Sequence, residues 1–277
     1  MNTPPRKHYL LASDFDQTLS FNDSGVVLSE LLGVREYHER VRGLARSNLV
    51  QQGGELAYLI RHDPEFRGVR PEHLREAGKQ VRLKAAIPNL VSFLENGLEG
   101  CRFSFHVISA APREIVLAAL DGAVAPENIH GAELEYDAAS GEVRAIRHVP
   151  AGYGKVAVIE DLQHRLGVAP DRVIYVGDGS SDVHVMLHVN SHDGFTIAVS
   201  DNRQLAHIAR SVVISDNVFS VMVPVLDQVF GWRPGEIREL LELNGLTLEA
   251  WSKARTDHVQ IAAAESASRV PARATAT

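Results

Sequence analysis

In "YLLASDFDQT" two aspartates, Asp14 and Asp16, stand two positions apart directly after the apolar run Tyr9, Leu10, Leu11 and Ala12. A second pair, Asp178 and Asp182, closes "VIYVGDGSSD", again behind an apolar run. Continuous apolar runs ended by turn-prone residues are what central parallel strands look like, because such strands are buried on both faces. Extended backbone alternates its side chains, so Asp14 and Asp16 are expected on one side with Phe15 on the other. Both acids then face one pocket at the carboxyl edge of a sheet. Gly177 and Gly179 flank Asp178 and let backbone approach a ligand closely. Carboxylates gathered at two strand ends raise one another's pKa unless a cation joins them, and an all-oxygen donor set suits a hard divalent ion.

Two other places offer groups to an anion. "VISAAPRE" is expected to end a strand on Ser109 and to open a helix at Pro112, presenting a hydroxyl and free N–H groups. "AGYGK" puts Lys155 at the start of an amphipathic helix, after a glycine-rich loop. Asp14, Asp16, Asp178 and Asp182 together with one hard divalent cation and Lys155 sum to a single negative charge. Protonating one carboxyl brings the sum to zero, so the count calls for one aspartate held as an acid, a group able to donate a proton.

The elements that would position these residues alternate. After the first strand, residues 26–32, 41–50 and 56–60 carry helical apolar spacing, and Pro71 opens a further helix to 83. No strand is expected between 22 and 85. From Pro88 onward a helix feeds the strand 103–108, another helix follows at 115–120, and "HGAELEYDAASGEVRAI" alternates on both sides of a Ser-Gly turn like a β-hairpin. Helix 155–166, strand 173–176, helix 183–189 and strand 196–199 complete the rhythm. The expected fold is α/β, a doubly wound, mostly parallel sheet with helices on both faces and a small inserted helical cap over the strand ends. Residues 1–21 and 86–230 would form the core, 22–85 the cap and 231–261 a C-terminal helical extension. Residues 262–277, without apolar period, are expected to be a disordered tail.

"DFDQT", the serine ending "VIS", the lysine of "AGYGK" and "GDGSSD", in that order, resemble the four motifs of the haloacid dehalogenase superfamily of phosphohydrolases. The resemblance spans about residues 8–200. A helical cap after the first motif, with only a hairpin between the second and third, is similar to phosphoserine phosphatases. The resemblance implies that Asp14 attacks phosphorus to form an aspartyl-phosphate, and that Asp16 protonates the leaving oxygen and then activates water. It implies Mg²⁺ held by Asp14, the main-chain carbonyl of Asp16, Asp178 and, directly or through water, Asp182. Ser109, the backbone N–H of Ala110 and Lys155 would hold the phosphoryl oxygens. Thr18 would orient the first loop and Ser181 would touch phosphate, where relatives often carry asparagine. Asp23 stands near the position of a cap glutamate that binds the amino acid in phosphoserine phosphatases, and Arg35, Arg46 and Arg61 are candidates for their cap arginine.

The implied activity is a Mg²⁺-dependent phosphatase acting on a small phosphorylated metabolite. The alternatives are a phosphotransferase or mutase using the same intermediate, or a non-catalytic module binding a partner through the C-terminal helices. Dehalogenases make an ester at carbon and need no proton donor at Asp16, and P-type pumps need membrane helices. The net charge of −7 argues against a nucleic-acid groove. No apolar stretch has the length of a membrane span or the form of a signal peptide, and the lone Cys101 fits a reducing compartment, so the expectation is a cytoplasmic protein with no membrane partner. Cys101 is expected as a filler before a strand. His184 and His188 share a helical face near His192, but no acidic partner completes a metal motif, and that helix is expected to pack beside the sheet. Nothing in the sequence indicates the oligomeric state.

Overall fold

The apolar run before Asp14 forms β1 (His8–Ser13), buried on both sides as its composition requires. Leu10 and Ala12 pack into one core layer, while Tyr9 and Leu11 join Phe15 in the other. The computed structural model describes residues 7–47, 50–200, 203–246 and 255–257. Within it β1 pairs in parallel with β2 (Arg102–Pro112) and with β5 (Val173–Gly177). β3 (Ile129–Tyr136) adds to β2, and β4 (Val143–His148) returns antiparallel from it as the expected hairpin. On the far side β6 (Phe195–Ala198), β7 (Ser211–Ile214) and β8 (Arg255–Asp257) extend the sheet to the order β4-β3-β2-β1-β5-β6-β7-β8. Only the outermost strands run antiparallel to their neighbours.

Helices cover both faces. α7 (Tyr153–Leu166) and α8 (Val183–Ser191) bury Val156, Ile159, Leu162, Val185, Met186 and Val189 against one face. α5 (Ile87–Asn96) and the helical turns of 218–229 fill the other. Between β1 and α5 the chain makes α1 (Ser24–Leu32), α2 (Tyr37–Ser47), α3 (Glu55–His62) and α4 (Pro71–Gln80), with α6 (Arg113–Ala119) below. In that stretch the described residues form no strand, and only isolated bridges at Leu83 and Ala85 tie its end to Ser20 and Asn217. α4 lies directly on α6: a Cβ on Gly78 would come within 2.3 Å of the Ile115 carbonyl oxygen, so this close crossing requires glycine.

Several expectations are corrected. β2 does not end on Ser109 but continues to Pro112 through a register shift against β3, because the chain stays extended along its neighbour past the irregularity. β1 ends at Ser13, one residue before the first acid. β7 was not anticipated: four residues are too few to display a period. The region 231–261 is not wholly helical. Its described part holds the helix Pro234–Leu243 but also β8, three residues that close the sheet edge. Residues 247–254 and 258–261 of the expected helical extension, and the tail 262–277, lie outside the described residues. Among the described residues no helix is long and apolar enough to cross a membrane.

Two histidines lie side by side on neighbouring strands, His106 Nδ1 at 3.1 Å from His130 Nε2. Burial pulls each down to about 4 from the ordinary 6.5, their mutual repulsion helping in His106 and the Arg165 charge in His130. The unfolded chain binds these protons near 6.5 and the folded chain only near 4, so between those values unfolding takes up protons. The stability of the neutral pair is therefore complete above about 6.5 and lost as the pH falls toward 4. Urea midpoints measured across that window should fall more steeply in the wild type than in the double variant His106→Gln/His130→Gln; parallel profiles would contradict this reading.

Candidate active site

β1 and β5 end together: Ser13 is opposite Val176, so the loops after these two strands leave the sheet at one level, while β2, opposite Ser13 at Val107, runs on to Pro112. The N–H of Asp14 still donates to the carbonyl of Val176 at 2.8 Å, holding the first acid beside β5. Beyond it the chain turns through Gln17, whose φ of 56° is left-handed. Lys84 Nζ donates to the Gln17 carbonyl at 3.0 Å and steadies that turn. Phe15 is buried in the core while Asp14 and Asp16 line one cleft, so the expected separation of the three side chains exists in a loop rather than on a strand.

Beneath the cleft the charges are tightly connected. Lys155, with 0 % of its surface exposed, sends its ammonium to Asp14 Oδ1 at 2.9 Å and to Asp182 Oδ1 at 2.6 Å. Asp182 accepts four hydrogen bonds. Tyr175 O–H joins Lys155 on Oδ1 at 2.7 Å, and the N–H groups of Asp178 and Gly179 donate to Oδ2 at 3.1 Å each. Gly177 has no side chain for a physical reason, since a Cβ there would lie 2.5 Å from the Asp182 carboxylate. Thr18 Oγ1 donates to Asp178 Oδ1 at 3.4 Å and so links the first and last loops.

Asp14, Asp178 and Asp182 each offer a carboxylate oxygen, the three within 4.8 Å of one another. Burial raises the Asp14 and Asp178 carboxyls above the ordinary range; Asp182 adds to both and Lys155 opposes. Burial alone would lower Lys155, but Asp14 and Asp182 more than offset it and keep it protonated. The residues therefore fit a divalent cation: oxygen donors converge, and their mutual repulsion is what such an ion relieves.

Asp16 is turned away from this cluster toward the cap. Its oxygens accept the N–H and O–H of Ser24, each at 2.8 Å. Burial pushes its carboxyl well up, with Asp23 and Asp14 adding, and Ser24 only partly opposes them. Ser109 Oγ accepts the Ala111 N–H at 3.1 Å, which leaves the hydroxyl proton to donate elsewhere. Ser109, Ala110, Ser181 and Asp23 line the same cleft as Asp14, Asp16 and Asp178, while Thr18, Lys155 and Asp182 lie behind its wall.

The cap side of the cleft holds residues that sequence reasoning missed. The loop before α3 reaches into the core: Gln52 Nε2 donates to Ser180 Oγ at 2.7 Å. A Cβ on Gly53, at φ 97°, would press on Ser181 and Ala151 at 3.0 and 3.1 Å. Glu55 and Tyr37 also line the cleft. The pair of glycines in "QQGGE" was the available signal for such close packing. Arg35, Arg46 and Arg61 do not line the cleft; Arg61 instead donates to the Arg144 carbonyl at 2.7 Å. The arginine that does line it is Arg42. His184 lies tilted against the Tyr153 ring, His188 lies 3.8 Å from Glu160 and His192 bonds the His188 carbonyl. Among the described residues these histidines form no cluster of metal ligands. Cys101 is half-buried and unpaired with any other cysteine.

Comparison with solved structures agrees with this fold. A substrate-bound phosphoserine phosphatase superposes with a TM-score of 0.61 at 16% identity, over 78% of this chain and 98% of the other. A phospho-aspartyl intermediate analogue of phosphoserine phosphatase gives 0.55 at 19% identity, covering 70% and 87%. A phosphoserine phosphohydrolase-like protein from Francisella tularensis gives 0.58 at 18%, covering 78% and 99%. At these identities the likeness is one of fold. No curated protein matches the sequence. The haloacid dehalogenase-like hydrolase family matches residues 11–187, which include all four groups of site residues. With its strand-end acids, buried lysine and doubly wound sheet, the chain belongs to the haloacid dehalogenase-like hydrolases.

Proposed function

We propose that the protein is a Mg²⁺-dependent phosphatase that hydrolyses a small phosphomonoester through a phosphorylated Asp14. The observation that carries this reading is a division of labour between two neighbouring carboxyls. Asp14 is paired to Lys155 inside the acidic cluster, while Asp16 is turned toward the cap with its pKa pushed up by burial and by Asp23. One is suited to attack and the other to deliver a proton.

Asp14, Asp178 and the main-chain carbonyl of Asp16 would hold the ion. Asp182, whose oxygens already accept four hydrogen bonds, would act through water. Bound there, magnesium would draw charge from the phosphoryl oxygens. Lys155 gives two of its three donors to Asp14 and Asp182, and the third would serve a phosphoryl oxygen that enters beside Asp14. The Ser109 hydroxyl and the Ala110 N–H, both on the cleft wall, would hold the remaining oxygens, with Ser181 beside them. Asp14 attacks phosphorus as the ester bond breaks, and Asp16 gives its proton to the departing oxygen. The resulting Asp16 carboxylate then takes a proton from the water that attacks the aspartyl-phosphate, returning both acids to their starting states. Ser24 keeps Asp16 aimed throughout.

With Mg²⁺ present the protein should release phosphate from p-nitrophenyl phosphate, and a chelator should abolish release. Asp14→Asn should lower kcat by about a thousandfold or more; unchanged turnover in that variant would overturn the proposal. Asp16→Asn should reduce kcat/KM for an alkyl phosphate much more than for p-nitrophenyl phosphate, whose leaving phenolate needs no proton. Equal losses on both substrates would remove Asp16 from the role of acid.

A further inference from the structure

Beyond the phosphoryl end the cleft continues under the cap, and its walls there carry the carboxyl groups of Asp23 and Glu55. Glu55 has 6 % of its surface exposed; its Oε2 accepts the Gly53 N–H at 2.7 Å, and among the described residues no cation pairs with it. Asp23 caps α1 by accepting the N–H groups of Gly25 and Val26 on Oδ1, at 2.8 and 3.1 Å, which leaves Oδ2 without a donor among the described residues. Tyr37 packs on the start of α1: a Cβ on Gly25 would lie 2.0 Å from its hydroxyl oxygen. Burial raises the Tyr37 hydroxyl, and Asp23, Asp16 and Glu55 raise it further, so three carboxyls face one neutral phenol. Burial also raises Glu55, with Asp23 adding.

Positive charge is missing from this end. Arg42 is the one cationic side chain on the described lining, and it is 62 % exposed and paired with Glu39 at 2.7 Å. A substrate carboxylate would meet Asp23 and Glu55 with no buried partner. A neutral polyol would leave both acids uncompensated beside a phosphate dianion. An ammonium group offers N–H donors and charge to both.

On the phosphatase reading above, we propose that the substrate is the phosphomonoester of an amino alcohol, carrying a protonated amine and no carboxylate, with its nitrogen seated between Asp23 and Glu55. This departs from what an amino-acid phosphate requires, since nothing buried on the described lining would receive its carboxylate.

The test compares matched substrates with Mg²⁺ present: phosphoethanolamine against 2-hydroxyethyl phosphate and against phosphoserine, and glucosamine 6-phosphate against glucose 6-phosphate. The amine should be preferred in at least one matched amine–hydroxyl pair by about tenfold or more in kcat/KM, and phosphoethanolamine should exceed phosphoserine. Glu55→Gln keeps an acceptor for the Gly53 N–H, and Asp23→Asn keeps a good helix cap. Each should cut the amine-to-hydroxyl ratio by about tenfold while circular dichroism shows a folded chain. Ratios near one in both pairs, a preference for phosphoserine, or ratios that survive both substitutions would overturn the inference, provided p-nitrophenyl phosphate is turned over. No turnover of p-nitrophenyl phosphate would instead overturn the phosphatase reading on which it rests.

Discussion

A lysine with no exposed surface holds the strand ends together. Lys155 comes from the first turn of α7, Asp14 from the loop after β1 and Asp182 from the loop after β5, and the ammonium touches both acids. A buried charge costs several kcal/mol unless partners and hydrogen bonds answer it, so this triad constrains three distant segments at once. Tyr175 and two backbone N–H groups complete the answer at Asp182. With Asp182 saturated, the loop 177–182 is fixed and Asp178 is presented upward beside Asp14. The chemistry of the cleft follows from that fixed floor.

The cap is built onto the same frame. α4 seats on α6 through Gly78, and the Gly53 turn seats on Ser181, Ala151 and Ala110. Contacts this close leave little or no room for an extra methyl, which ties the cap's wall to the segments that carry Ala110, Ala151 and Ser181. The cleft therefore has two ends with different demands: a core end where Lys155 balances Asp14 and Asp182, and a cap end where Asp23 and Glu55 have no paired counter-charge among the described residues. Asp16 lies between them and is affected by both, since Asp23 and Asp14 each raise it.

The acids and the lysine were legible in the sequence because each follows a strong local signal: an apolar strand, a pair of glycines or a helix start. The mostly parallel sheet with helices on both faces followed from the alternation of helix and strand, whereas the order of its strands did not. Other features were not legible because they depend on contacts distant in the chain. Gln52 meets Ser180, and Glu55 enters the cleft, only after α3 has docked. A helix face rich in arginine looks the same whether it faces solvent or a pocket, so Arg35, Arg46 and Arg61 could not be told from Arg42. Ser109 seemed to close a strand because alanine and proline follow it, yet pairing with β3 carries the extended backbone on to Pro112. β7 and β8 are too short to show a period of their own, and they exist because the sheet offers an edge to pair with.

The account stands most directly on the fate of Asp14. Rapid acid quench of the enzyme during turnover, followed by peptide mass spectrometry, should find one phosphoryl group on the peptide that contains Asp14. A phosphoryl group on another residue, or none during demonstrated phosphate release, would contradict the account.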